Sequence, residues 1–114
     1  DLISSERLRE IEDRTRFAGG ELVKLFGNGS AFYAPAQCAI EMAEAYLKDK
    51  KRVIPSAALC EGEFGIDGYF IGVPTVIGAG GIEKIIEFSL TDEEKFALDN
   101  TLDAVKKTVE ETKL

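Results

Sequence analysis

The sequence contains no histidine, and this absence excludes several kinds of active site. The chain cannot form a Ser–His or Cys–His nucleophile pair, and it has no histidine to serve as a general base or a metal ligand. Its two cysteines, Cys38 and Cys60, lie far apart and lack the spacing of metal ligands. Because both have apolar neighbours, we expect buried, reduced and unpaired thiols.

Basic residues and long apolar runs are also scarce. The 14 Lys and Arg stand against 21 Asp and Glu, a net charge of −7, whereas a nucleic-acid partner needs a basic stripe. The cluster Lys48, Lys50, Lys51 and Arg52 is interpreted as a solvated helix end facing the negative pole of the helix dipole. No segment reaches the roughly 18 apolar residues of a membrane span. We therefore expect a cytoplasmic protein with no nucleic-acid or membrane partner.

The N-terminus resembles neither a signal peptide nor a transit peptide, and it begins with Asp1 instead of Met. We therefore expect a processed or excised chain. Its 114 residues amount to one domain or a large piece of one.

Apolar periodicity persists along the chain and predicts its elements. After a cap at Ser4 or Ser5, apolar or small residues recur every three or four positions to residue 25, as in an amphipathic helix. Gly19-Gly20 interrupts this helix and predicts close packing against another backbone, or a kink. Gly27-Asn28-Gly29 should end it.

A second helix is predicted to follow, with Ser30 as its cap and Pro35 in its first turn. Mostly small residues form a narrow stripe along it. Such a stripe lets a partner helix approach closely, so we expect an interface within the fold or between subunits. Its members are Ala36, Ala39, Ile40, Ala43 and Leu47.

Three strands and a last helix complete the prediction. The strands are 52–60, 69–77 and 82–90, and the last two are joined by a glycine turn into an antiparallel hairpin. Thr91 and Glu94 form a capping box that begins the final helix. The predicted fold class is therefore α+β, in the order helix, helix, three antiparallel strands, helix, with the sheet covered by helices.

Two glycine- or acid-rich segments invite a functional interpretation. Gly78-Ala79-Gly80-Gly81 follows a strand, but Glu83 stands where a dinucleotide fingerprint needs its third glycine, and no helix follows. A hairpin turn is the favoured interpretation. Glu61, Glu63 and Asp67 share one loop and could bind a hard cation, but a solvated turn is favoured. We therefore predict no metal site and no catalytic residue in this chain.

The segment from Gly27 to Ala36 is the most unusual. A permissive loop enters a helix N-terminus, where open backbone N–H groups suit an anion such as a carboxylate. A plain turn between two helices remains the alternative.

Four stretches together resemble the bacterial malate dehydrogenases of the lactate dehydrogenase-like type. They lie in the same order and cover nearly the whole chain. They are Gly29–Ala36 with Ala39–Leu47, Lys50–Pro55, Glu61–Ile66, and Gly72–Gly78 with Gly81–Ile85.

The resemblance implies that the 114 residues are the C-terminal substrate domain of a longer enzyme. In that enzyme NAD is bound mainly by a preceding domain, and hydride passes between C2 of malate and NAD with a histidine upstream of this chain as acid and base. It also implies a homo-oligomer that acts in the tricarboxylic acid cycle. This chain alone is then expected to be inactive.

The resemblance also implies site residues. Ser30 and Ala31 would line the substrate pocket, and Pro35 would lie near the nicotinamide. Lactate-type relatives carry a bulkier Thr-Ser-Trp run where this chain has Ala31-Phe32-Tyr33, so small Ala31 suits a larger dicarboxylate such as malate or oxaloacetate. Two alternatives remain open: a free-standing module that dimerises through the small-residue stripe, and a small acidic regulatory protein without catalysis.

Overall fold

The computed structural model describes residues 2–112, and these form three α-helices and three strands. The order is α1 (Ser5–Phe26), α2 (Tyr33–Leu47), β1 (Arg52–Glu61), β2 (Asp67–Gly78), β3 (Gly81–Ile85) and α3 (Asp92–Thr112), with a short 3-10 turn at Glu63–Gly65. The predicted α+β class and element order are confirmed. The chain divides into two compact units, the first ending at Ile40 and the second beginning at Glu41.

Helix α1 occupies most of the first unit. The Ser4 hydroxyl caps it by accepting from the backbone N–H of Arg7 at 3.2 Å, which satisfies one of the free donors of a helix start. The helix runs through Gly19-Gly20 without a break, and a Cβ added at either glycine would meet nothing within 4 Å. The predicted kink or close backbone packing is therefore wrong within this chain.

Helix α2 begins later than the sequence suggested. Because its first residue is Tyr33, Phe32 occupies the position before the helix, and Ser30 lies too early to cap it. The prediction of Ser30 as the cap is therefore wrong. Pro35 does lie in the first turn, as predicted. The five residues of the small-residue stripe are all exposed in this chain.

The three strands form one antiparallel sheet in the order β1-β2-β3. Strand β1 ends one residue later than predicted, and β2 begins two residues earlier, so the loop between them shrinks to residues 62–66. Strand β2 also ends one residue later than predicted, at Gly78. A bulge interrupts the β2–β3 pairing: Val76 lies opposite Lys84 and Ile77 opposite Ile82, so Glu83 is the extra residue.

Strand β3 ends at Ile85, five residues before the predicted end at Leu90. The reason lies in its partner strand. The backbone N–H of Ile86 donates to the carbonyl of Pro74 at 2.9 Å, but proline has no N–H to return the bond. The ladder stops there. On the other side of β2, Pro74 faces Pro55 of β1 in the register.

Alternate residues of β1 and β2 build the core of the second unit. Its buried members are Ala58, Cys60, Ile66, Ile71 and Val73, and Leu98 and Leu102 of α3 pack against them. The fully buried Thr75 is accommodated because its hydroxyl donates to the carbonyl of Ile54 at 2.8 Å and lies 2.7 Å from the Ser56 hydroxyl. One face of α3 thus covers the sheet, as predicted.

The capping box at the start of α3 is confirmed. The backbone N–H of Thr91 donates to the Glu94 carboxylate at 2.8 Å, and the N–H of Glu94 donates to the Thr91 hydroxyl at 3.3 Å. The bond from the Thr91 N–H, and a second that the Thr91 hydroxyl donates to the Glu94 carboxylate at 2.9 Å, hold the pKa of Glu94 below its ordinary value. Among residues 2–112, no helix combines the length and the apolar character that crossing a membrane requires.

Candidate functional site

The loop of residues 27–32 joins α1 to α2 and carries two of the predicted site residues. Gly27 ends α1 in the left-handed conformation, with φ of 81° and its N–H donating to the carbonyl of Val23 at 3.0 Å. Gly29 has φ of 81° and Phe32 has φ of 32°. Three of the six loop residues thus have positive φ, which reverses the chain within a short distance.

Three aromatic rings surround this loop. Phe26, the last residue of α1, lies with its ring centroid 6.4 Å from that of Phe32 at an interplanar angle of 63°, and 5.7 Å from that of Tyr33. The Phe32 ring folds back over Gly29, where an added Cβ would lie 2.7 Å from Cζ of that ring. A side chain at position 29 would therefore displace the ring.

The structure places the three predicted site residues at this one junction. Ser30 is exposed, Ala31 is half-buried, and Pro35 is exposed in the first turn of α2. The carbonyl of Ala31 accepts from the N–H of Ala34 at 3.3 Å, which fixes the backbone on which Ala31 lies. Of the three residues, Ala31 is the one that is partly buried.

The electrostatics of the junction are those of an uncharged surface. No charged residue occurs from Leu25 to Ile40. The N–H groups of Ala34 and Ala36 are already bonded to carbonyls of the loop, and Pro35 has no N–H. The helix start is thus a weaker anion site than the sequence suggested. A carboxylate bound here would need its cationic partners from outside this segment.

The glycine turn after β2 is a hairpin turn, as favoured. Gly78 pairs with Gly81, so Ala79 and Gly80 form the turn. The N–H of Ala79 donates to Asp49 Oδ1 at 2.7 Å, and the N–H of Gly80 donates to Glu83 Oε1 at 3.1 Å. Side chains of this chain therefore occupy the donors that a phosphate would need.

Lys51 joins the two acids of this turn. Its Nζ lies 2.8 Å from Asp49 Oδ1 and 2.6 Å from Glu83 Oε1. The Lys51 ammonium lowers the pKa of both carboxyls, and their N–H donors from Ala79 and Gly80 lower it further. Asp49 and Glu83 in turn raise the pKa of Lys51. We call these three side chains the hairpin clamp.

The basic cluster 48–52 is exposed, but it is not an unpaired helix end. Lys48 and Lys50 both contact Glu44, at 2.8 and 2.7 Å, and Arg52 pairs with Glu41. The two lysines lower the pKa of Glu44 to about 2. All four basic residues lie after Leu47, the last residue of α2. Ion pairs with acids of α2, β3 and the connecting turn therefore add to the position of these cations just after the C-terminal end of α2, where the helix dipole is negative.

The remaining candidates offer little chemistry. Glu63 accepts a hydrogen bond from the N–H of Glu61 at 2.7 Å, and residues 2–112 contain no group of three potential metal ligands. Both cysteines are free, as predicted, but only Cys60 is buried. Cys38 is exposed on α2, so the prediction of burial is wrong there. Burial raises the pKa of the Cys60 thiol, as the charges of Glu63 and Glu87 also do, which makes it a poor nucleophile.

An apolar groove of about 290 Å³ lies in the second unit, between β2, the segment after β3 and α3. Phe64 and Phe88 line it, with ring centroids 5.6 Å apart. Glu94 is the ionisable group among its lining residues, and it is engaged in the capping box. The Thr101 hydroxyl also lines the groove and donates to the carbonyl of Ala97 at 2.9 Å, so the groove offers no free ionisable group for acid–base catalysis.

Comparison with known families decides the affiliation of this fold. The profile of the lactate/malate dehydrogenase family, alpha/beta C-terminal domain, matches residues 1–113. The chain belongs to this family. The resemblance seen in its four sequence stretches is therefore confirmed.

Individual relatives agree with the family profile. Malate dehydrogenase 1 of Anaeromyxobacter dehalogenans is 57% identical over 113 residues, which cover 99% of this chain and 36% of the relative. Malate dehydrogenase of Rhodopirellula baltica is 60% identical over 108 residues, which cover 95% and 34%. The chain thus spans about a third of the length of the curated relatives it matches.

Solved structures of the family share the fold. The malate dehydrogenase of Salinibacter ruber superposes with a TM-score of 0.89 at 48% identity, over 98% of this chain and 36% of that one. A lactate dehydrogenase of Eimeria maxima, solved with NADH and oxamate, gives 0.88 at 44% identity over 97% and 35%. The helix–helix–sheet–helix arrangement is therefore common to both kinds of dehydrogenase.

Proposed function

We propose that this chain is the substrate-side part of an NAD-dependent malate dehydrogenase that interconverts malate and oxaloacetate. The observation that carries the proposal is an identity of 57 to 60% over at least 95% of the chain to proteins named malate dehydrogenase. A free-standing interaction module or regulatory protein is not favoured, because the proteins that match nearly the whole chain carry the name of an enzyme, malate dehydrogenase.

The substrate assignment rests on identity and on Ala31. The malate dehydrogenases of Anaeromyxobacter dehalogenans and Rhodopirellula baltica are 57% and 60% identical to the chain. Identity to solved structures does not separate the two enzymes, since it is 40 to 48% for malate dehydrogenases and 43 to 44% for lactate dehydrogenases. A methyl group at position 31 leaves space that a longer side chain would fill. We therefore assign a four-carbon dicarboxylate to the pocket in preference to lactate.

We assign Ser30 and Ala31 to the wall of that pocket and Pro35 to the nicotinamide side. The uncharged stretch from Leu25 to Ile40 means that these residues shape the pocket and exclude water, while cationic groups of the longer enzyme hold the carboxylates. We also assign the catalytic acid and base to the rest of the longer enzyme, because this chain has no histidine.

The residues of this chain do not fit the phosphates of NAD. Its glycine turn is followed by a strand, and the turn donors are bonded to Asp49 and Glu83. NAD is therefore assigned mainly to the part of the longer enzyme that precedes this chain.

The exposed apolar surfaces of α1 and α2 are assigned to contacts with that preceding part or with a second subunit. Phe17 and Leu25 of α1 are 73% and 76% exposed, and no described residue of α1 is buried. Faces of this kind mark interaction surfaces. We expect a homo-oligomeric cytoplasmic enzyme of the tricarboxylic acid cycle, without nucleic-acid or membrane partners.

A chimera tests the proposed function. The part of the Anaeromyxobacter dehalogenans relative outside the match is joined to these 114 residues, and the purified chimera is assayed for reduction of oxaloacetate and of pyruvate with NADH. We expect turnover of oxaloacetate at least tenfold more efficient than that of pyruvate. The 114-residue chain alone should turn over neither.

Two results would contradict the proposal. A folded chimera that reduces neither substrate would show that the chain does not complete a dehydrogenase. A preference for pyruvate, although a malate dehydrogenase supplies the carboxylate-binding groups, would contradict the assignment of a four-carbon dicarboxylate to the wall formed by Ala31. The native relative serves as the positive control for folding and assay.

A further inference from the structure

The loop that carries Ser30 and Ala31 is closed by an aromatic contact. Ser30 and Ala31 lie between Gly29 and Phe32, and the Phe32 ring rests against Gly29. The backbone at Phe32 has φ of 32°, which a bulky residue adopts at a cost. The contact of this ring with its surroundings is therefore part of what holds the loop in shape.

Phe26 supplies the fixed side of that contact. It is the last residue of α1, so its backbone is held by the regular helix before the Gly27 cap. Its ring lies edge-on to Phe32 and near Tyr33, in geometry favourable to aromatic pairs. Phe26 thus contacts both the residue that closes the loop and the first residue of α2.

We propose that Phe26 is a positioning residue for substrate: through Phe32 it fixes Ser30 and Ala31 at the pocket wall. The inference rests on the proposed function and adds a residue outside the pocket to it. Removal of the ring frees Phe32, and the loop then samples other conformations. Because a displacement of about 1 Å at a reacting centre costs up to about a hundredfold in rate, a loosened wall lowers turnover.

The test compares Phe26→Ala with Phe26→Tyr in the chimera described above. For Phe26→Ala we expect kcat/KM for oxaloacetate to fall about tenfold, measured well below the Tm, with the Kd for NADH within about twofold of the parent. Phe26→Tyr keeps the ring and should restore most of the activity. Phe96→Ala, which removes an exposed phenylalanine of α3, is the control and should match the parent.

A purely structural role predicts a different result. Loss of folded enzyme lowers kcat without changing KM for oxaloacetate, and the loss follows the folded fraction measured by circular dichroism. That result overturns the inference, as does an unchanged kcat/KM in Phe26→Ala. An inactive parent chimera overturns the proposed function instead.

The loop itself can be examined in the 114-residue chain without any assay. Phe26→Ala should speed amide hydrogen exchange about tenfold at Ala34 and Ala36, whose N–H groups donate to the carbonyls of Ala31 and Phe32, while exchange in β2 stays unchanged. Phe96→Ala should leave the rate of amide hydrogen exchange next to the loop as it is in the unsubstituted chain. Equal exchange in Phe26→Ala and the unsubstituted chain would remove Phe26 from any positioning role, whatever the chimera does.

Discussion

The three proposed pocket residues differ in what their side chains offer. Ser30 has a hydroxyl that faces solvent, Pro35 has a rigid ring without a backbone donor, and Ala31 has one half-buried methyl group. Only Ala31 combines partial burial with a small volume. It is therefore the residue at which size selection can be tested.

Ala31→Leu in the chimera should act on substrate more than on folding. About three extra carbons fill the space assigned to the carboxymethyl group, so kcat/KM for oxaloacetate should fall by about tenfold or more. NADH binding and the melting temperature should change little, because the nucleotide is bound elsewhere and position 31 is only half-buried. Ala31→Ser is the control of similar size. A lower melting temperature with unchanged kinetics would mean a plain helix turn.

Glu44 provides a pH-dependent contribution at the end of α2. Its pKa drops from an ordinary 4.5 to about 2 because Lys48 and Lys50 bind the ionised form. A lowered carboxyl pKa stabilises the folded chain above pH of about 4.5, and this contribution is lost as the pH falls through about 2. Glu44→Gln should therefore lower the free energy of unfolding at neutral pH. The difference between the two proteins should shrink as the pH falls from about 4.5 and disappear below about 2.

An NMR titration of the Glu44 carboxyl measures this effect directly. The midpoint should lie near pH 2 in the unsubstituted chain and rise towards 4.5 when both lysines are replaced by methionine. A midpoint near 4.5 in the unsubstituted chain would show that the lysines do not bind Glu44 in solution.

At the scale of elements, the β2–β3 hairpin depends on the hairpin clamp. A Cβ at Gly78 would lie 2.5 Å from Glu83 Oε1, 2.7 Å from Asp49 Oδ1 and 2.8 Å from Lys51 Cδ. Gly78→Ala should therefore displace the three clamp side chains, and because these are flexible and partly exposed, the free energy of unfolding should fall only slightly. Urea denaturation measures the change.

Gly72→Ala is the matched control in the same strand. A Cβ there meets nothing within 4 Å, and alanine suits a strand better than glycine, so stability should stay equal or rise by about 0.5 kcal/mol. If the two variants were equally stable, the clamp would contribute nothing to the hairpin.

Local sequence signals predicted most of the elements. These signals act over a few residues, so they can be recognised in the sequence. They are the capping box at Thr91 and Glu94, the glycines after α1, and the alternation of residues in β1 and β2. The end of β3 could not be recognised there, because it depends on Pro74 of the neighbouring strand. Likewise Lys51 and Glu83 are separated by 32 residues, and no local pattern pairs them.

The candidate site was predicted only in part. The glycines and small residues from Gly27 to Ala36 pointed to a permissive loop, and the family resemblance assigned Ser30, Ala31 and Pro35. Phe26 was missed because it continues the apolar pattern of α1. The available signal was an aromatic residue at the end of a helix, directly before Gly27 and followed within seven positions by two further aromatic residues.

At the scale of the whole molecule, the facing prolines Pro55 and Pro74 govern how the sheet meets other chains. The carbonyl of Pro74 accepts a hydrogen bond from Ile86, the residue after β3, so the backbone groups of Pro55 and Pro74 point away from each other. Pro55 must then face the outer edge of β1, where it offers no N–H. An incoming strand could not complete its ladder there, which protects the open edge from strand addition and fibril growth.

Pro55→Val should remove this protection. The variant gains an outward N–H and a strongly β-forming side chain, so it should form thioflavin-positive aggregates at concentrations at which the unsubstituted chain stays clear. Pro74→Val is the internal comparison, because its new N–H points to β3 and not to solvent. Equal lag times for all three proteins would show that the edge is guarded by something other than proline. A single proline in β1 therefore keeps further strands from pairing with the outer edge of the sheet.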